Sequence, residues 1–198
     1  MRKPKLRELG EAVKALTTRA YTIKFPFEPS EPFEAFRGKP EYSDEYCVGC
    51  GACANVCPPG AIDILDDIQE KKRRLILHLD NCIYCGQCEL NCITEKGIKL
   101  TREYDLATLD RSTLVEKVEK NLLLCELCGA VIGTEEHVRW VAERLGTAAF
   151  SNPTVMLVAM KELSVVREEK AEKSEVTDRA DRLRVLCPRC RKETTVNF

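Results

Sequence analysis

Two cysteine runs with the same spacing constrain this chain more than any other feature of its sequence. The runs consist of Cys47, Cys50, Cys53 and Cys57, and of Cys82, Cys85, Cys88 and Cys92. A short apolar stretch follows each run, so residues 46–104 contain an internal repeat. The segment Arg74–Leu79 joins the halves and alternates as a strand would, with Leu75 and Leu77 on one face. The repeat predicts a pseudo-twofold α+β unit with a short helix in each run.

The spacing within each run is typical of thiolates that bind 4Fe–4S clusters. Three cysteines two residues apart surround one cluster, whereas the fourth starts in another direction and reaches the other cluster. We therefore expect the two runs to share ligands crosswise. The first cluster is assigned to Cys47, Cys50, Cys53 and Cys92, and the second to Cys82, Cys85, Cys88 and Cys57. Ile93 stands where the second run would usually carry proline, which alters local geometry but removes no ligand.

Composition favours metal thiolates over the alternative of a secreted disulfide scaffold. The chain has 12 cysteines among 198 residues, but its basic start, MRKPKLRELGEAVK, lacks the apolar core of a signal peptide. No apolar stretch approaches the roughly 20 residues that a membrane-spanning helix needs. The net charge of −1 gives no global attraction to nucleic acid. These features indicate a reducing compartment. Any membrane association must be peripheral or through a partner.

A second metal site is predicted from two further cysteine pairs. Cys125 and Cys128 form one CxxC knuckle, and Cys187 and Cys190 form the other. Two knuckles complete a tetrahedral site of four thiolates, for which we favour zinc in a closed structural role. A third iron–sulfur cluster and a single redox iron are the alternatives. The 58 residues from 129 to 186 must then fold back on themselves.

Before the repeat, residues 1–45 are predicted to form an amphipathic helix and an extended docking segment. Apolar residues recur at helical spacing within residues 1–24, at Leu6, Leu9, Val13 and Leu16. Four of the nine prolines lie in residues 25–45 and favour extended backbone there. This basic helix is predicted to dock on a membrane surface or a partner, with packing on the chain's own core as the alternative.

After the repeat, residues 105–198 are predicted to form a zinc-ribbon-like α/β extension. Helices are expected over Thr113–Leu122 and Glu135–Leu145, with Ser112 and Thr134 as N-caps. Another helix is expected to open at Asn152-Pro153, and the charged residues 167–182 are expected to be solvated. The predicted fold class is thus α+β: a bacterial-type two-cluster ferredoxin module (46–104) between an N-terminal helix and this extension.

The cysteine runs and the Phe36-Arg37-Gly38-Lys39-Pro40 segment before them resemble the two-cluster iron–sulfur subunit of the complex I superfamily. That subunit occurs in respiratory complex I and in energy-converting membrane-bound nickel–iron hydrogenases. The knuckles in the extension look closer to the formate hydrogenlyase version. The resemblance covers roughly residues 20–130 and the last dozen, and it carries the eight ligand assignments over position by position.

This resemblance implies an electron-transfer subunit without a catalytic site of its own. It would lie in the cytoplasmic arm, on the cytoplasmic side of the membrane. The implied partners are a small 4Fe–4S subunit, a large catalytic subunit, and a donor such as ferredoxin or a formate-oxidising subunit. The same subunit in a sulfur- or quinone-reducing complex is the alternative, followed by a free-standing soluble ferredoxin with a zinc-binding tail. No nucleic-acid partner is expected, although arginines near the last knuckle keep a nucleic-acid-binding ribbon as a minor alternative.

Overall fold

The computed structural model describes residues 5–19, 22–162 and 183–196. The chain divides into two compact units, residues 1–36 and 37–198. The regular elements in chain order are α1 (Leu6–Thr17), β1 (Pro40–Tyr42), α2 (Ala52–Asn55), β2 (Ile62–Asp67), β3 (Lys72–His78), α3 (Gln87–Leu90), β4 (Ile98–Leu100), β5 (Val115–Leu124), β6 (Val131–Thr134), α4 (Glu135–Leu145), α5 (Pro153–Glu162) and α6 (Pro188–Val196). Short 3-10 turns at Arg111–Thr113 and Gly146–Ser151 precede β5 and α5.

The first unit contains the helix that the sequence predicts near the N-terminus. The Glu8 carboxylate accepts a hydrogen bond from the Lys5 backbone N–H at 2.9 Å, which fixes the first turn of α1. The predicted apolar face is exposed along its whole length, at Leu6, Leu9, Val13 and Leu16. Further along, Phe27 and Phe33 are also exposed. The unit therefore presents apolar side chains to its surroundings.

The second unit is built on two antiparallel sheets. Strands β2, β3, β5 and β6 form one sheet in that order, and β1 pairs with β4 in the other. The predicted central strand is confirmed as β3, whose Leu75 and Leu77 are almost completely buried. The predicted short helices are confirmed as α2 and α3, one inside each cysteine run.

The predicted helix over Thr113–Leu122 is wrong. This segment forms strand β5, which pairs with β3 from His78 opposite Val115 to Lys72 opposite Asn121. Its buried residues alternate as Val118, Lys120 and Leu122. Because a lysine occupies an inward position, the apolar residues alone suggest helical spacing and hide the period of two. The extension thus begins as a strand in the same sheet as the repeat.

The rest of the extension largely follows the sequence. The prediction of α4 is confirmed: the Thr134 hydroxyl caps it by accepting from the His137 N–H at 3.3 Å, and the helix ends at Gly146. Helix α5 opens after Asn152, whose side-chain oxygen accepts from the Thr154 N–H at 3.0 Å. The charged segment 167–182 lies outside the described residues.

The core beneath the sheet gives a first test of this architecture. Leu77 on β3 is 1% exposed and pairs with Ile62 on β2, whereas Leu65 on β2 is 52% exposed. We expect Leu77→Ala to destabilise the chain by about 2–5 kcal/mol, because it removes buried methyl groups and leaves a cavity. Leu65→Ala should change stability by less than about 0.5 kcal/mol. Anaerobic denaturant titration of the iron-loaded protein measures both, and equal midpoints for the two variants would contradict the described core.

Candidate metal centres

The first candidate metal centre is a cavity in which the two cysteine runs meet. It lies between the first run, the end of the second run, and Leu75 and Ile98 from the core. Its cysteines are Cys47, Cys50, Cys53 and Cys92. Three of them come from the first run and one from the second, which is the set that the spacing assigns to the first cluster.

The second centre repeats this arrangement with the runs exchanged. A second cavity is lined on its apolar side by Pro40, Ile62 and Leu77. Its cysteines are Cys57, Cys82, Cys85 and Cys88. Strand β3 lies against both cavities, because Leu75 lines the first and Leu77 the second. The structure therefore brings together both predicted sets of four, while the ligand assignment itself stays a prediction.

Hydrogen-bond donors aim at the cysteine sulfurs in both cavities. Cys57 Sγ accepts from the Ala61 N–H at 3.3 Å, and Cys82 Sγ accepts from the Tyr84 N–H at 3.4 Å. In the first cavity the Thr94 hydroxyl lies 3.3 Å from Cys92 Sγ. Such donors stabilise thiolates and the sulfurs of an anionic cluster. Four converging cysteines, apolar walls and donors directed at sulfur fit iron–sulfur clusters in both places.

Tyr42 adds a side-chain donor to the first cavity. Its hydroxyl lies 3.7 Å from Cys53 Sγ. Burial raises the pKa of Tyr42 far above its usual range, and the nearby Cys53 sulfur adds to the rise. The hydroxyl therefore keeps its proton and remains a donor toward the sulfur.

The Arg37–Pro40 segment before the first run positions the second centre. Arg37 Nη1 donates to the Cys85 carbonyl at 3.1 Å, and Lys39 Nζ lies 2.6 Å from a Glu116 carboxylate oxygen. A Cβ at Gly38 would collide with the backbone carbonyls that follow β4, so only glycine fits this close approach. Pro40 is fully buried and lines the second cavity. All four residues of the segment therefore have a structural role.

Residues distant in sequence hold the loop that carries Cys47 and Cys50. The buried Thr134 hydroxyl donates to the Val48 carbonyl, and Arg73 Nη1 donates to the Gly49 carbonyl at 3.1 Å. Lys120 Nζ binds Asp44 just before the loop. Sequence reasoning missed these contacts. The inward position of Lys120 in the alternation of β5 was the one signal that could have pointed to it.

The third candidate metal centre gathers the four cysteines of the extension. The sulfurs of Cys125, Cys128, Cys187 and Cys190 all lie within 4.8 Å of one another. Cys128 and Cys187 are 3.8 Å apart. A tetrahedral site with metal–sulfur bonds of about 2.3 Å requires sulfur–sulfur distances of about 3.8 Å. This spacing suits a single ion, since four irons and their sulfides would hold the thiolates further apart.

Backbone N–H groups around this centre donate to its sulfurs. The Cys187 N–H donates to Cys125 Sγ at 3.3 Å, and the Cys190 N–H donates to Cys187 Sγ at 3.5 Å. Burial alone would raise the pKa of Cys125, but the N–H groups of Cys128, Cys187 and Leu127 lower it to about 6. Hydrogen bonds with the neighbouring sulfurs raise the pKa of Cys190, so one thiol of the group is prepared for ligation as a thiolate while another holds its proton.

Comparison with known proteins agrees with the first two centres. Residues 46–96 match the family described as the 4Fe–4S dicluster domain. Formate hydrogenlyase subunit 6 of Escherichia coli is 33% identical over 125 residues, which cover 63% of this chain and 69% of that protein. Both cavities thus belong to a ferredoxin-like 4Fe–4S domain that contains helices and strands.

More distant relatives cover less of their own length. NAD(P)H-quinone oxidoreductase subunit I of Gloeobacter violaceus is 30% identical over 111 residues, 54% of this chain and 53% of that protein. The Prochlorococcus marinus (strain AS9601) subunit is 35% identical over 108 residues, half of each chain. A chain of an archaeal membrane-bound sulfane sulfur reductase aligns with a TM-score of 0.43 and 27% identity, covering 58% of this chain and 61% of that one. Among the described residues, no helix combines the length and apolarity required to cross a bilayer.

Proposed function

This chain belongs to the two-cluster iron–sulfur subunits of the complex I superfamily, which include formate hydrogenlyase subunit 6, and from that premise we propose that it relays single electrons within a membrane-bound, energy-converting hydrogenase complex. The crosswise meeting of the cysteine runs in two cavities is the observation that carries the proposal. Such clusters accept and release one electron at a time. Both clusters would lie against the same strand, β3, so an electron can pass from one cluster to the other without movement of the chain.

We propose the ligand sets that line the cavities. Cys47, Cys50, Cys53 and Cys92 hold cluster 1, and Cys82, Cys85, Cys88 and Cys57 hold cluster 2. Burial raises the pKa of Cys47 and of Cys88 to about 11. Cluster binding must therefore displace their protons, and the N–H and O–H donors around the sulfurs offset that cost.

We further propose that the third centre holds one zinc ion and closes a zinc-ribbon-like extension. Its support is the 3.8 Å spacing between the sulfurs of Cys128 and Cys187 and the N–H donors on Cys125. Zinc has no redox chemistry, so this site fixes the extension and carries no electrons. In this proposal the first unit, residues 1–36, binds the partner subunits, the cluster domain transfers electrons, and residues 105–198 stabilise the fold.

The docking role rests on the exposed apolar side chains of the first unit. Leu6 and Leu16 at the two ends of the α1 face are 88% and 87% exposed, and Phe27 is 94% exposed. Exposed apolar surface of this kind marks an interaction site. The proposed partners are a small 4Fe–4S subunit and a large catalytic subunit on the cytoplasmic side of the membrane. Ferredoxin or a formate-oxidising subunit is the proposed donor.

The assembly is tested by purifying the tagged chain from its native host in mild detergent. We expect it to co-elute from the membrane fraction with a nickel-containing large subunit. A membrane complex without nickel would move the chain to a sulfur- or quinone-reducing complex. Recovery of the chain alone in the soluble fraction would contradict the subunit proposal and favour a free-standing ferredoxin. A chain with Leu9→Ser and Val13→Ser on the exposed face of α1 should lose its partners while keeping its iron.

A further inference from the structure

Lys120 is a buried cation beside the loop of the first cavity. Its side chain is 9% exposed, and Nζ donates to the Asp44 backbone carbonyl and, at 3.0 Å, to the Asp44 carboxylate. The Asp44 side chain is 87% exposed, so water screens its negative charge. The positive charge lies in a medium of lower dielectric and is neutralised only in part.

The lysine stem packs directly on this loop. Gly49, between Cys47 and Cys50, has a φ of +65°, and a Cβ there would lie 3.1 Å from Cβ and Cγ of Lys120. Lys120 Nζ is held at Asp44, three residues before Cys47, so the cation lies beside the loop that carries two proposed ligands of cluster 1.

The second cavity has no equivalent of this lysine among the described contacts of its loop. Each loop receives an arginine: Arg73 donates to the Gly49 carbonyl and Arg37 to the Cys85 carbonyl, both at 3.1 Å. Arg37 is exposed, and Arg73 is paired with both carboxylate oxygens of Asp66 at 2.7 and 2.8 Å. The two loops thus receive similar positive charge from the arginines, and Lys120 adds further positive charge beside the first cavity only.

Side-chain donors reinforce the same asymmetry. The first cavity has two hydroxyls near its sulfurs, from Tyr42 at Cys53 and from Thr94 at Cys92. The described donors to the sulfurs of the second cavity are backbone N–H groups, among them those of Ala61, Tyr84 and Glu89. Positive charge and hydrogen bonds to sulfur both stabilise the additional negative charge of a reduced cluster.

We propose that Lys120 makes cluster 1 the more easily reduced of the two clusters, so that an electron shared between them resides mainly on cluster 1. This role rests on the proposed function, because it presupposes both clusters. It also means that the extension, which supplies β5, takes part in electron transfer without binding a redox centre. Lys120 is a positioning residue for the electron and not a ligand.

The test is an anaerobic redox titration of the full, cluster-loaded chain followed by electron paramagnetic resonance. Lys120→Gln keeps a donor near the Asp44 carbonyl but removes the charge. We expect the higher midpoint potential to fall by about 59 mV, a tenfold change in the one-electron equilibrium between the clusters. The lower midpoint should stay in place. Lys120→Arg should retain the wild-type separation, and so should the matched control Lys117→Gln, exposed on the same strand.

The outcomes separate this inference from the function beneath it. A wild-type chain without two reducible clusters would refute the proposed function. Two clusters whose separation is unchanged in Lys120→Gln would refute only the role of Lys120, as would a shift of the lower midpoint. If Lys120→Gln fails to load iron, Lys120→Met takes its place. This variant also removes the charge and should lower the higher midpoint, and an unchanged midpoint would overturn the proposal.

Discussion

A Cys92→Ala chain is expected to lose the cluster of the first cysteine run and to keep the cluster of its own run. The Cys92 sulfur shares a cavity with Cys47, Cys50 and Cys53, and its absence leaves one iron of that cluster without a thiolate. Iron content should fall from about eight per chain toward about four. Metal analysis and electron paramagnetic resonance of the reduced protein measure the loss. Asn91→Ala, at the exposed position next to Cys92, is the matched control.

Double variants decide whether the ligands are really shared crosswise. Adding Cys50→Ala to Cys92→Ala should cost little further iron, because both residues line one cavity. Adding Cys85→Ala should remove nearly all iron, because Cys85 lines the other cavity. Residues that act in one unit give strongly non-additive losses, whereas independent sites add. The reverse pattern would mean that each run binds its own cluster. Zinc content shows in every sample whether the extension is still folded.

The second large effect is expected in the extension. Replacing both Cys187 and Cys190 with alanine should abolish zinc binding, because two thiolates cannot complete a tetrahedral site. Zinc binding by small metal domains contributes on the order of 10 kcal/mol. The apolar residues clustered around this site are few: Leu186 is buried and Ile132 is partly buried. Without the ion, α6 should detach, and limited proteolysis should cleave the extension while iron content stays near eight.

The control for this variant lies within the same knuckle. Arg189→Ala changes a side chain that is 87% exposed and pairs with Glu193, so zinc and protease resistance should be retained. About twelve irons and no zinc in the wild-type chain would show a third cluster instead. About nine irons would show a single iron ion, which the same four thiolates can also bind.

Local signals account for the parts of the fold that the sequence predicted. Helix α4 has a capping threonine at its start and a glycine at its end, so its bounds follow from Thr134 and Gly146. Strand β3 follows from the alternation of Leu75 and Leu77. Strand β5 could not be predicted in this way, because Lys120 faces inward to meet Asp44, a partner distant in sequence. Secondary-structure propensity cannot predict the contact between Lys120 and Asp44, because that contact exists only after folding.

The candidate sites show the same division. The eight cysteines and their grouping follow from spacing alone, since the chain between thiolates limits which of them can share a cluster. The surrounding groups do not follow, because Thr134 and Lys120 reach the first loop across the sheet. Gly38 carried a signal in the Arg37–Pro40 segment, but its reason, the close approach to the backbone after β4, is visible only in the structure.

Because each cavity takes cysteines from both runs, the two cavities become complete at different points as the chain is synthesised. Although Cys47 is the first cysteine to leave the ribosome, the cavity that contains it is incomplete until Cys92 has been made, whereas the other is complete at Cys88. The loop around Cys47 then gains its last anchor only when Thr134 arrives. A nascent chain halted between these points would present a finished second site beside an unsupported first one. The first cavity is therefore complete only after the second, and its loop is fully anchored only after the extension has added its strand to the sheet.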